Sequence, residues 1–160
     1  ILTKSKLVIR DIDIFNKFQN IEVGISISTL DEDFAKIIER CASKPKDRLE
    51  AIKTISEAGI KTYVFVSPYF PQITDFKAII EESVDYTDYF MFENLNFRPH
   101  NVLRIERIIK KNYPKLLPKY KEFQKNPSLW EFIEQEIKNY CEKKGINFRI
   151  EFHHGGFSKS

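Results

Sequence analysis

Asp47 to Asp75, DRLEAIKTISEAGIKTYVFVSPYFPQITD, is the stretch whose reading decides the fold. Leu49, Ile52, Ile55 and Ala58 recur at three-residue spacing, so they form one apolar stripe of a helix whose other side carries Glu50, Lys53 and Glu57. Gly59 follows the last periodic residue, where a left-handed conformation closes a helix at little cost. The chain then enters Ile60 to Ser67, β-branched, aromatic and almost uncharged, the pattern of a strand buried on both faces. Ser67-Pro68-Tyr69-Phe70-Pro71 is expected to leave the ladder as a Pro-bounded polar loop. A helix that delivers a buried strand ending in such a loop is the repeating unit of parallel α/β architectures, where ligands sit beyond the carboxyl ends of the strands.

Upstream, Ile1-Leu2-Thr3 reads as a strand end, and Leu7, Ile14, Phe15 and Phe18 predict a loop leading into a short helix. Val23 to Ser28 alternates, with Ile25 and Ile27 on one face and Gly24, Ser26 and Ser28 on the other. In a barrel strand such small residues leave room and hydroxyls for a ligand; in an ordinary sheet they face water. Thr29-Leu30-Asp31-Glu32 fits a capping box for a helix through Phe34, Ile37 and Ile38 to about Arg40. Downstream, Thr74 is expected to cap a helix that turns Phe76, Ile79, Ile80 and Val84 inward. Tyr89 to Phe92 is the next buried strand, ending in the polar Glu93-Asn94. Strands thus alternate with helices, which predicts right-handed crossovers in a parallel sheet.

From His100 the pattern changes. A helix over 101–112 places Arg104, Arg107, Lys110 and Lys111 outside. Pro114 and Pro118 then punctuate a basic segment containing Tyr113, Tyr120 and Phe123. Asn126-Pro127 is expected to start a helix as cap and first residue, Gly145 to stop it, and Ile146 to Phe152 to form a final strand. No internal repeat is present.

At 160 residues the chain has room for one domain with a real core. Its formal charge of +3 hides an asymmetry: residues 1–100 hold 13 Lys and Arg against 16 Asp and Glu, whereas residues 101–145 hold 11 against 6. Cys41 and Cys141 lie a hundred positions apart without metal-type spacing, which points to a reducing compartment. No signal peptide and no apolar run near eighteen residues appear, so a cytoplasmic protein without membrane contact is expected.

Taken together, Ile1-Leu2-Thr3-Lys4-Ser5, Val8 to Asp13, Gly24 to Glu32, Arg48 to Ile52, Ser56-Glu57-Ala58-Gly59-Ile60, Ser67-Pro68 and Pro71 resemble radical SAM proteins related to spore photoproduct lyase, the DNA repair photolyase-like group. The resemblance covers roughly residues 1–95. It implies an α/β fold, a partial parallel (β/α) barrel of radical SAM type. Residues 1–99 would form the C-terminal half of that barrel, beginning in its third strand, and 100–160 a mainly helical extension. The family's CxxxCxxC loop, which supplies three thiolates to a four-iron four-sulfur cluster, is absent from this sequence. The intact protein is therefore expected to use that cluster and S-adenosylmethionine for hydrogen-atom abstraction, while this chain alone holds neither and is not catalytic.

Carried over by position, the resemblance implies that Lys4 meets the carboxylate of S-adenosylmethionine and that Ser26 and Ser28 face its ribose and methionyl part. Ser67 and Pro68 would border the adenine, and Glu93 and Asn94 would touch cofactor or substrate. The implied partner is the missing N-terminal half of the barrel. Without it, the open strand edge is expected to dimerise or to be covered by the C-terminal region. The basic, aromatic segment Arg104 to Lys125 has the composition of a nucleic-acid groove, although lysines at helical spacing are also simply a wet face. Asp11 and Asp13 near a helix start read as dipole partners rather than as a catalytic pair. The tail pair His153-His154 reads as solvated. The competing reading of the whole is a noncatalytic half-barrel that binds a protein or nucleic-acid partner.

Overall fold

Strand follows strand without a break in order: in a computed structural model, which describes residues 1–153, β1 (Leu2–Thr3), β2 (Glu22–Ser26), β3 (Lys61–Tyr69), β4 (Tyr89–Asn94) and β5 (Phe148–Ile150) stand side by side, every pair parallel. Parallel neighbours need crossovers, and the intervening segments supply them as α1 (Ile12–Phe15), α2 (Glu32–Ile38), α3 (Pro45–Glu57) and α4 (Phe76–Ser83). Between β4 and β5 lie α5 (Pro99–Asn112), α6 (Leu117–Lys125) and α7 (Ser128–Lys144).

The pleat sorts each strand's side chains. Val23 and Ile25 of β2, Ile27 just beyond it, Val64 and Val66 of β3, and Phe90 and Phe92 of β4 are fully buried in one core with Ile52 and Ile55 of α3. The register Gly24↔Tyr63↔Tyr89 and Phe65↔Met91 aligns the alternate residues on the opposite face, where Tyr63, Phe65 and Met91 are only half-buried. At Gly24 a Cβ would stand 2.1 Å from Tyr63 Cζ, so only glycine lets that ring lie over β2 and stack on Tyr89 at 5.0 Å.

Gly59, at φ 77°, ends α3 in the left-handed conformation its position predicts, and Gly145, at φ 65°, does the same for α7. Four expectations are corrected. β3 continues through Ser67 and Pro68 to Tyr69, which pairs with Asn94 after a register shift; Pro68 has no N–H to donate, and the irregularity accommodates it. The cap of α2 is Asp31, which accepts from the Asp33 and Phe34 amides, while Thr29 accepts from Asp31. The cap of α4 is Asp75, and Thr74 instead accepts from the Phe70 amide and donates to the Ser28 carbonyl. The helix after Asn126-Pro127 starts one residue later, at Ser128, whose amide and hydroxyl both bond Asn126 Oδ1.

The C-terminal region joins the same core. Trp130 packs on Phe123 and Phe152 with ring centroids 4.9 and 5.6 Å away, and Tyr120 donates to the Pro71 carbonyl at 3.0 Å. Burying side chains of this size contributes about 2 kcal/mol each. β5 extends the sheet beyond β4, at the edge opposite β1. The expectation that this region covers the β1 edge therefore fails: the chain's last strand feeds onto its nearest predecessor.

Candidate functional site at the carboxyl ends of the strands

Because the strands are parallel, their last residues emerge at one end of the sheet. Lys4 follows β1, Ser26 closes β2 with Ser28 two residues on, Ser67 and Pro68 lie near the end of β3, and Glu93 and Asn94 end β4. The backbone carbonyl of Ser67 is their meeting point. It accepts from Ser28 Oγ at 2.7 Å, from Ser26 Oγ at 3.0 Å and, more weakly, from Lys4 Nζ at 3.4 Å. The Ser67 hydroxyl donates onward to Glu93 Oε2 at 2.5 Å. A charge-assisted hydrogen bond of that length fixes the Glu93 carboxylate.

Two residues without an expected role organise this group. Glu39, directly after α2, takes Lys4 Nζ on Oε1 and Arg48 Nη2 on Oε2 at 2.5 Å. Arg48 of α3, 2% exposed, also donates from Nε to the Ser43 carbonyl at 2.7 Å and from Nη1 to the Ser26 carbonyl at 2.9 Å. A buried guanidinium is tolerated only when paired and hydrogen-bonded, and here three acceptors meet it. One signal in the sequence marks it: Arg48 precedes Ile52 by four and Ile55 by seven, so it stands on the apolar stripe of its own helix. A charge on that stripe needs a buried partner, and Glu39 is that partner.

Lys4, Ser26, Ser28, Ser67 and Glu93 are thus joined by hydrogen bonds. Ser26 and Ser28 do not present free hydroxyls. Both are buried, each has one proton to donate, and the Ser67 carbonyl is the shorter of the contacts, with Ser28 Oγ also 3.2 Å from Glu39 Oε1. Asn94 is occupied elsewhere: its Oδ1 accepts from the His153 amide at 3.1 Å. Beside the network opens a cavity of about 260 Å³ lined by Lys4, Glu39, Pro68, Leu95, Asn96 and Arg104. That is less than the roughly 300–1,000 Å³ of sites for whole drug-sized ligands, so it takes part of one.

No trio of metal-ligating side chains gathers among the described residues. Cys41 is exposed; Cys141 is buried in α7, where desolvation pushes its thiol up to about 11. These two thiols do not fit an iron–sulfur cluster. Asp11 makes no side-chain cap at α1, and of the tail histidines only His153 is among the described residues. Two of the aromatics in the basic segment, Tyr120 and Phe123, are buried core residues and so are unavailable for base stacking.

The amino end of the sheet is different. Glu22, opening β2, pairs with Lys61 and accepts from Tyr89 Oη at 3.0 Å, and the Arg149 guanidinium lies 4.7 Å from the Tyr89 ring. The hydrogen bonds from Lys61 and Tyr89 hold the Glu22 carboxyl below its ordinary range. Both charged partners are 41–50% exposed.

No family model matches the sequence. The chain is 36% identical over 146 residues to the uncharacterized protein MJ0683 of Methanocaldococcus jannaschii, covering 91% of this chain and 54% of that protein. It is 36% identical over 118 residues to the uncharacterized protein ORF301 of Acidianus two-tailed virus, covering 68% and 39%. An uncharacterized protein of Mycobacterium tuberculosis is 32% identical over 78 residues, covering 47% and 23%. The chain thus spans about half or less of the curated relatives it matches. Among solved structures, SuiB of Streptococcus suis, determined in one case bound to S-adenosylmethionine, superposes with a TM-score of 0.60 at 16% identity, over 89% of this chain and 29% of SuiB. The fold is accordingly α/β, a five-stranded parallel sheet with helical crossovers that SuiB shares over this span, with three helices between β4 and β5. No helix among the described residues is long and apolar enough to cross a membrane.

Proposed function

We propose that this chain is the C-terminal part of a cytoplasmic radical SAM enzyme of the spore photoproduct lyase-related group, and that the carboxyl end of its sheet binds S-adenosylmethionine. One observation carries the reading: the polar network Lys4–Glu39–Arg48–Ser67–Glu93 and its cavity lie at the end of a parallel sheet where this architecture places ligands. SuiB, whose fold it shares, has been solved with that cofactor bound.

The residues fit a zwitterionic, partly apolar ligand. The Lys4 ammonium has three donors, and with bonds to Glu39 and Ser67 it keeps one for a ligand carboxylate. Glu93, fixed by the Ser67 hydroxyl, offers its other oxygen to an amine or hydroxyl. Pro68 and Leu95 supply apolar wall for a base. Ser26 and Ser28 act one step back, by holding the Ser67 carbonyl and hence the end of β3. Asn94 anchors His153 beside this end of the sheet. When bound to an iron–sulfur cluster, S-adenosylmethionine supplies a radical that abstracts hydrogen; the thiolates for that cluster belong to sequence outside this chain, whose strands would pair along β1. What these 160 residues contribute is binding and orientation of the cofactor.

The reading is tested on the longer protein. The open reading frame around this sequence is expected to encode CxxxCxxC upstream of Ile1, and the protein purified without oxygen should hold about four irons and cleave S-adenosylmethionine on reduction. An in-frame start without the motif overturns the proposal in favour of a noncatalytic half-barrel.

A further inference from the structure

Tyr69, the last residue of β3, is 5% exposed and packs its ring against Phe76 and Phe152. Its hydroxyl has no hydrogen-bond partner among the described residues. The other buried tyrosines and the tryptophan each have one. Tyr89 Oη donates to Glu22 Oε2 at 3.0 Å, Tyr120 Oη to the Pro71 carbonyl at 3.0 Å, and Trp130 Nε1 to the Phe123 carbonyl at 3.3 Å. A hydroxyl buried without a partner costs stability that phenylalanine at the same place would not. Such an orphan calls for something bound beside it.

Tyr69 lines a cavity of about 500 Å³ between the loop after β3, the first turn of α4, and helices α6 and α7. That volume falls within the roughly 300–1,000 Å³ of small-molecule sites. Phe76, Phe123 and Ile133 give it a buried apolar wall, and Phe132 of α7, 74% exposed, stands at its mouth. It shares no lining residue with the cavity beside Lys4: Pro68 and Phe70 line that one, Tyr69 and Pro71 this one.

The charges around the cavity do not cancel. Lys77 pairs with Glu136 at 2.8 Å and Lys119 with Glu122 at 3.0 Å, so both lysines are answered. Asp75 has no cation partner among the described residues; its Oδ1 caps α4 through the Ala78 amide at 3.0 Å, and its other oxygen is available. The dipole of α4 offsets part of that charge. At the Tyr69 hydroxyl the balance is negative: burial first, then the Glu136 and Asp75 carboxylates, push the phenol up, and no cation offsets them.

We infer that this cavity binds a small organic cation, an ammonium group carried on an apolar or aromatic body. The neutral phenol oxygen of Tyr69 accepts an N–H, Asp75 supplies counter-charge at the rim, and the phenylalanines hold the body. An anion would meet Asp75 and Glu136 with both lysines already paired. A purely apolar ligand would leave the Tyr69 hydroxyl orphaned. The site is separate from the proposed cofactor end and does not depend on it.

Saturation-transfer NMR on the full chain without cofactor tests this, with 2-phenylethylamine as the probe and phenylacetate and 2-phenylethanol as its anionic and neutral counterparts. The amine is expected to bind saturably and more tightly than either. Tyr69→Phe should weaken it about tenfold, the loss of one hydrogen bond to a charged group. Asp75→Asn, which keeps the helix cap, should weaken it about twofold to fivefold, and less in high salt. Tyr69→Phe should leave the melting temperature unchanged or raised, whereas Tyr120→Phe, which removes the bond to Pro71, should lower it. No saturation by about 20 mM amine, well above a millimolar dissociation constant, would leave water as the occupant and overturn the inference. So would phenylacetate binding as tightly as the amine, unchanged affinity in Tyr69→Phe, or a melting temperature lowered equally by both phenylalanine variants. Because no S-adenosylmethionine is present, either outcome leaves the cofactor reading to stand or fall on its own test.

Discussion

The two ends of the sheet use the same residue types for opposite purposes. At the carboxyl end, Arg48 is buried against a Glu39 side chain only 9% exposed, and the pair is linked through serines to Glu93, next to a cavity. At the amino end, Glu22 and Lys61 pair at the surface above two stacked tyrosines and, with Gly59 and Ile60, line an open space of about 660 Å³ that no buried ion pair adjoins among the described residues. A buried ion pair costs desolvation that a surface pair never meets, so its retention at one end only points to a need for fixed charge there.

The largest way to break this contrast is Arg48→Met. It leaves the Glu39 carboxylate buried beside half-exposed Lys4 alone, and a stability loss of about 3–5 kcal/mol is expected by chemical denaturation. Adding Glu39→Leu should restore much of the loss, because the uncompensated charge then disappears; equal instability of the double variant would contradict the pairing. Gly24→Ala comes next. The new methyl must expel the Tyr63 ring from its stack on Tyr89, at a cost of about 1–3 kcal/mol, and Gly24→Ala/Tyr63→Ala should lose less than the two single changes combined. The smallest effect is the surface pair. Lys61→Ala should cost under about 1 kcal/mol and less in high salt. Since the folded-state pKa of Glu22 is depressed, its contribution is present above the unfolded value of about 4.3 and is lost as pH falls through the lower folded value. Glu22→Gln should therefore flatten stability against pH slightly, and only on the acid side.

The same contrast shows what could be read from sequence. Periodicity placed α3 and β3 and the glycine between them because burial of one stripe and one strand is a local pattern. It placed caps one or two residues off at Thr29 and Thr74, since Thr and Asp compete as acceptors over two positions and tertiary bonds to Phe70 and Ser28 decide between them. The resemblance pointed to the carboxyl end of the sheet and to Lys4, Ser67 and Glu93, which the fold joins by hydrogen bonds. Glu39 and Arg48 escaped notice because charges on amphipathic helices usually mean solvent, and their pairing crosses a loop whose path the sequence does not spell out.

The most direct test of the carboxyl end as the cofactor end is calorimetric titration of S-adenosylmethionine into the longer, cluster-reconstituted protein carrying Glu93→Ala or Glu22→Ala. Glu93→Ala is expected to weaken binding about tenfold or more with the fold retained, and Glu22→Ala to leave it within twofold. Unchanged affinity in Glu93→Ala, or an equal loss in both, would contradict the assignment of the site to this end of the sheet.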